Sequence, residues 1–167
     1  MSKEMVDVPH RHIVMTIAEE LQPYFYWNRD IQPILIESAA QVMKSIISER
    51  KKNSGLTPGI IIVVHTFGRD LKFNPHIHVL ITEGGLDKND DLKPIDFLPY
   101  AAIRKRWQHL VLKAFKERFK GDRKVVNLVN RLYNQKKNGF YIHARSKMRS
   151  AKSAAKYIGR YNLLDGL

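Results

Sequence analysis

Apolar residues in the first half of the chain switch between two spacings, and the switches outline the elements. Over residues 10–17, Ile13, Met15 and Ile17 alternate with Val14 and Thr16, a period of two that predicts a strand. Residues 18–30 are aromatic and keep neither period, so this segment is expected to be irregular. Over 31–50, Ile31, Ile34, Leu35, Val42, Met43 and Ile46 recur at helical spacing. Asp30 is the expected N-cap of that helix, and Pro33 is tolerated in its first turn. Residues 59–66 form a β-branched run, which predicts a central strand buried on both faces. The chain turns over 67–75 and extends again over 76–82, and two strands this close in sequence pair as an antiparallel hairpin.

The second half reads as loop, helices, strand and helix. Gly84, Gly85 and the acidic stretch 87–91 predict an exposed loop over 84–96 that holds at most a short strand at 92–95. Ile103, Trp107, Leu110, Val111, Ala114 and Phe115 mark an amphipathic helix with Arg104, Lys105, Lys113 and Lys116 outward. A second helix is expected over 125–133, a turn at Asn138-Gly139, a strand over 140–145 and a last helix over 153–161. The order predicts an α+β fold: a mainly antiparallel sheet of four to five strands with helices packed on it, as one domain over 1–167.

Charge adds a partner to this picture. The chain carries a net +13, yet residues 1–100 hold 11 Lys/Arg against 13 Asp/Glu, and 101–160 hold 18 Lys/Arg against Glu117 and Asp122 alone. A positive field confined to one region is the footprint of a polyanion, and solubility alone does not require segregation by sign. Arg104, Lys105, Arg145, Lys147, Lys152, Lys156 and Arg160 are the candidate DNA contacts from this region, and Arg11 joins them. Tyr24, Tyr26, Trp27 and Phe67 are candidates for stacking on bases. No apolar run reaches the roughly 20 residues of a membrane helix, and the first ten residues lack a secretory apolar core, so a cytoplasmic protein is expected.

Cysteine is absent, which leaves any metal to His, carboxylate or amide ligands. On a strand, His76 and His78 project from one face while Ile77 and Val79 point to the other. Such a pair can chelate one ion. The hairpin brings His65 beside them as a third ligand, with a carboxylate, an amide or another histidine as the alternatives. Three ligands leave positions open for substrate. Imidazole favours Mn2+ over Mg2+, and phosphoryl chemistry uses either, so Mn2+ or Mg2+ is the expected ion. His10 and His12 form a second pair, read as DNA contacts or as supports of the ligands. Tyr157 and Tyr161 lie four apart on the last helix, hence on one face, with Lys156 and Arg160 near enough to favour the phenolate. Tyrosine is a recognised covalent nucleophile.

An ordered set of segments carries a resemblance. Val8-Pro9-His10-Arg11-His12, Pro58-Gly59-Ile60, His65-Thr66-Phe67-Gly68, Asn74-Pro75-His76-Ile77-His78, Gly139-Phe140-Tyr141 and Tyr157-Ile158-Gly159-Arg160-Tyr161 resemble the catalytic domain of two-tyrosine HUH transposases, the rolling-circle insertion-sequence enzymes related to Helitrons. The match is loose over the helices near 100–135. The resemblance implies an HUH endonuclease or relaxase-like fold and His76 and His78 as ligands of a divalent metal that polarises the scissile phosphate. It implies Tyr157 and Tyr161 as nucleophiles that leave a 5′-phosphotyrosine and a free 3′-OH on single-stranded DNA, including hairpin ends of a mobile element. Members usually carry a cysteine-rich zinc module before this domain and continue beyond the tyrosine helix, so this chain is read as an excised domain, a degenerate copy or a stand-alone relative. Monomer and homodimer both remain open. The competing readings are a non-catalytic binder of single-stranded or hairpin DNA or RNA, and a histidine-triad hydrolase. The latter would want a third histidine where the chain has Leu80.

Overall fold

A computed structural model describes residues 9–49, 55–68, 70–95 and 98–144. Its strands are β1 (His10–Thr16), β2 (Thr57–Phe67), β3 (Phe73–Leu86), β4 (Leu92–Pro94) and β5 (Ile142–Ala144). All pairings are antiparallel: the order is β2-β3-β1-β5, and β4 pairs with β3 beside that path. Four helices accompany the sheet: α1 (Gln22–Trp27), α2 (Pro33–Ser48), α3 (Tyr100–Arg118) and α4 (Arg123–Gln135). The fold is α+β, as the order of periodicities predicts.

Cross-strand partners share a face, so the register sorts every side chain. Ile77, Val79 and Ile81 of β3 lie opposite Met15, Ile13 and Arg11 of β1 and opposite Val64, Ile62 and Ile60 of β2. This face meets the helices. Ile13, Met15, Ile77, Val79 and Ile81 join Leu35, Val42 and Met43 of α2, Trp107, Val111 and Phe115 of α3, and Val125 and Val129 of α4 in one core. Each such aliphatic or aromatic side chain contributes roughly 1.5–3 kcal/mol relative to exposure. The indole of Trp107 also donates to the Thr16 carbonyl at 2.7 Å, tying α3 to the end of β1. α4 begins where the Asp122 carboxylate accepts from the amides of Lys124 and Val125.

Several expectations need correction. β2 is an edge strand, not a central one: among the described strands it pairs with β3 alone, and its apolar run is divided between the core side (Ile60, Ile62, Val64) and the far face (Ile61, Val63). The central strands are β3 and β1, joined across some sixty residues of sequence. Asp30 does not cap α2. A 3-10 turn over Arg29–Ile31 runs straight into the helix, so Gln32 takes the cap position without a side-chain bond. Asp30 accepts instead from Arg118 at 2.9 Å, a bond that holds its carboxyl below the usual range. Residues 18–30 are not irregular but wind through a 3-10 turn, α1 and a second 3-10 turn. The loop expected over 84–96 narrows, since β3 runs to Leu86 and β4 starts at Leu92.

The turn before β5 requires glycine. Gly139 has φ +83°, and a Cβ there would lie 2.3 Å from the carbonyl carbon of Arg104. The close seat of Gly139 on α3 fixes where Phe140, Tyr141 and β5 leave the helical layer. Among the described residues, no helix is long and apolar enough to cross a membrane.

Candidate metal centre

The face of the sheet opposite the helical core is lined with histidine. His76 and His78 of β3 pair with Thr16 and Val14 of β1, and His65 of β2 lies directly opposite His76. His12 of β1 faces Leu80, two residues along β3 from His78 and on the same face. Although α2, α3 and α4 bury their apolar sides on the other face, His65, His78 and His12 are only 2%, 5% and 1% exposed. One ring nitrogen from each of His65, His76 and His78 lies within 4.8 Å of the others. The ring centroids of His65 and His78 are 4.1 Å apart, those of His76 and His78 4.9 Å, and those of His65 and His76 5.5 Å.

A local irregularity aims His76. His65 pairs with His76 and Phe67 with Phe73, so β3 carries one extra residue between them, a bulge at Asn74-Pro75. Proline has no amide hydrogen to give a ladder, and a bulge is where a strand accommodates it. From the bulge, the Asn74 carbonyl accepts the His76 Nδ1–H at 2.6 Å. A carbonyl only accepts, so a proton is on Nδ1 and Nε2 is the nitrogen left to offer a lone pair to a metal. The Asn74 side chain is itself held by Gln22 Nε2 at 3.1 Å. On His78 the Nδ1 is likewise engaged, 2.8 Å from His12 Nε2.

These residues fit a divalent ion. Bonds of roughly 2.0–2.1 Å to imidazole place neighbouring ligand atoms about 3–3.5 Å apart, a modest contraction of the observed cluster. Backbone support at Nδ1, as at His76, is the usual way a protein orients a ligating imidazole. Three imidazoles leave positions open on a divalent ion, and among the described residues no carboxylate joins the cluster.

Comparison with known proteins gives the chain its relatives. Residues 59–163 match the family described as "Putative transposase" (Y2_Tnp). The chain belongs to the Y2 transposase family. It is 36% identical over 110 residues to the "Transposase for insertion sequence element IS801" of Pseudomonas savastanoi pv. phaseolicola, a stretch that covers 66% of this chain and 26% of that protein. It is 24% identical over 174 residues to the "Putative transposase y4qJ" of Sinorhizobium fredii (strain NBRC 101917 / NGR234), covering 95% of this chain and 44% of that one. The chain therefore spans less than half the length of either curated relative. No solved structure matches.

In this Y2 transposase family member the other candidate residues fall in three places. Tyr157, Tyr161, Arg145, Lys147, Lys152, Lys156 and Arg160 lie outside the described residues. Arg11 is on the core side of the sheet, donating to Glu83 at 2.7 Å and to the Tyr100 hydroxyl at 2.8 Å. The bond to Tyr100, then that to Glu83, raises its pKa further. Lys105 is exposed on α3, as are Lys113, Lys116, Lys124 and Arg131 along α3 and α4. This basic surface belongs to the helical layer, on the other side of the sheet from the histidines.

Arg104 stands at the join between the two sides. It donates to the Phe140 carbonyl at 3.2 Å and lies 5.9 Å from the centre of the Tyr141 ring. Beside it, a cavity of about 580 Å3 is lined by Thr16, Glu19, Glu20, Arg104, Lys136 and Tyr141, with other residues. Thr16, which pairs with His76, also donates its amide and hydroxyl to the Tyr141 carbonyl. His143 sits on the histidine face, opposite Val14, and His109 contacts the Tyr133 hydroxyl away from the site. Of the stacking candidates, Trp27 is well exposed, whereas Tyr24 packs against Phe115 and Phe119. The His12–His78 contact escaped sequence reasoning. The His10/His12 pair was visible, but the register that brings His12 to His78 was not.

Proposed function

We propose that this chain is the metal-dependent domain of an HUH-type transposase that nicks single-stranded DNA and transfers the strand through a covalent tyrosine intermediate. The observation that carries this reading is the cluster of His65, His76 and His78, buried at His65 and His78 and half-buried at His76, with His76 oriented by the Asn74 carbonyl. Membership of the Y2 transposase family supports it independently. His65, His76 and His78 would hold the ion, Mn2+ or Mg2+, which when bound supplies Lewis-acid polarisation of the scissile phosphate. His65 and His78 are buried and His76 is half-buried, so the ion would sit at the edge of a low-dielectric region, where its contacts to a phosphate are stronger than in bulk water.

The proposed chemistry balances without a nucleotide cofactor. The phenolic oxygen of Tyr157 or Tyr161 attacks phosphorus in line with the 3′-oxygen. A phosphotyrosine bond forms to the 5′ side, the phosphorus–O3′ bond breaks, and the departing 3′-oxygen takes up one proton as the phenol gives one up. The ester conserves bond energy, so a second 3′-OH can reverse the step at another strand. A second tyrosine allows two strands to be handled in succession.

The proposed DNA path reaches the histidine face from the basic helical layer around the end of the sheet. The cavity at Arg104, Lys136 and Tyr141 would lie on that route, with an exposed ring for a base and two cations whose charge is offset by Glu19 and Glu20. The test is incubation of the protein with end-labelled single-stranded DNA and Mn2+ or Mg2+, followed by a denaturing gel. A protein–DNA adduct is expected from the wild type and none from the Tyr157→Phe/Tyr161→Phe double variant. Metal-independent DNA binding without an adduct, over many sequences, would favour the plain binding module instead.

A further inference from the structure

His12 is buried at 1% exposure and sits outside the three-histidine cluster, yet its Nε2 is 2.8 Å from His78 Nδ1. The two rings are inclined by only 19° with centroids 4.9 Å apart. A face-to-face stack would bring the centroids closer. Two imidazoles that meet nitrogen to nitrogen in one plane have centroids about 5 Å apart, since each nitrogen is roughly 1.1 Å from its ring centre and the bond spans about 2.8 Å. The contact is therefore an edge-to-edge N–H···N hydrogen bond. One proton lies between the two rings, and it can be carried by either nitrogen.

The direction of that bond decides what His78 can do. If His12 donates, the neutral His78 carries its proton on Nε2 and that nitrogen has no lone pair for a metal. If His78 donates from Nδ1, its Nε2 is bare. His76, two residues away on the same face, is already fixed in the second form by the Asn74 carbonyl.

We propose that His12 is a positioning residue that accepts the Nδ1–H of His78, holding His78 in the tautomer and orientation that turn its Nε2 to a metal shared with His65 and His76. The inference rests on the metal reading above. Positioning partners of ligating histidines are usually carboxylates or carbonyls. An imidazole in this place adds no negative charge, so the ion keeps its full attraction for a phosphate. It also gives β1 a role in the site. His12 reaches diagonally across from its own partner Leu80, and the regular β1–β3 register over 10–16 holds it there.

Two measurements test this. Long-range 1H–15N spectra of the metal-free protein, labelled at histidine, read the tautomer directly. His78 is expected to show a protonated Nδ1 and a bare Nε2; a protonated Nε2 would overturn the proposal. Titration calorimetry with MnCl2 then compares wild type with His12→Leu and His12→Gln, each checked for folding by circular dichroism. Losing a positioning partner typically weakens metal binding about 10–100-fold, and that loss is expected for His12→Leu. The amide oxygen of His12→Gln reaches the position of Nε2 and is expected to restore affinity to within about threefold of wild type, which a purely structural role for the ring would not do. If His12→Leu does not fold, His12→Asn takes its place, because its shorter side chain stops short of His78. Wild-type affinity in the Leu or Asn variant would overturn the role of His12 alone. Wild-type protein that binds no Mn2+ would overturn the metal reading and the purpose of His12 with it.

Discussion

Replacing Trp107 by Phe probes the joint between the helical layer and the strand beside the histidines. Trp107 is fully buried, and its indole donates to the Thr16 carbonyl at 2.7 Å. Phenylalanine fills most of the site but leaves a void of roughly 35 Å3, which at about 24 cal/mol per Å3 costs about 1 kcal/mol. Withdrawing the donor from the part-buried Thr16 carbonyl adds about 1–2 kcal/mol. The expected loss is therefore roughly 2–3 kcal/mol, which for a chain of this size lowers Tm by about 4–12 °C. Urea unfolding followed by far-UV circular dichroism measures it, with an unchanged slope expected because the surface exposed on unfolding is the same. Thr16 pairs with His76, so the same variant should bind Mn2+ more weakly than wild type. A loss below about 0.5 kcal/mol would mean that the indole bond contributes nothing and that β1 is held elsewhere.

Three other outcomes follow from the same geometry. Saturating Mn2+, at about a hundred times its Kd, should stabilise the wild type by about 2.7 kcal/mol and raise Tm by several degrees; differential scanning calorimetry should show no such rise in His76→Ala. Gly139→Ala should destabilise by roughly 2–4 kcal/mol, because its Cβ would collide with the Arg104 backbone at a left-handed φ, and chemical denaturation reads this directly. Tyr141→Ala should weaken single-stranded DNA binding by about 1–3 kcal/mol in a fluorescence anisotropy titration, whereas the same change at Tyr133, near His109, should leave it unaltered.

Much of the site was legible because it is local. A period of two puts His76 and His78 on one face, and a hairpin puts His65 opposite His76. Both arguments need only neighbouring residues. What escaped depends on contacts between distant segments. The β1–β3 pairing makes β3 rather than β2 a central strand and delivers His12 to His78, and no local periodicity encodes that register. The apolar run of β2 suggested burial on both faces, but half of it lies on the face away from the helices, where Ile61 is exposed. The basic run of 101–160 read as one surface, yet among the described residues its α3 and α4 portion sits on the helical side of the sheet, with Arg104 beside the cavity that also takes in Thr16. Arg11, expected on the face opposite the histidines, does lie there, and the contacts that hold it, to Glu83 and Tyr100, come from segments distant in sequence.

The account depends most on a metal between His65, His76 and His78. Anomalous diffraction from crystals soaked in Mn2+ tests that directly. The account predicts one strong peak within about 2.0–2.4 Å of a ring nitrogen of each histidine, with His78 bound through Nε2. A peak at other residues, or crystals saturated with Mn2+ that show none between these three rings, would contradict it.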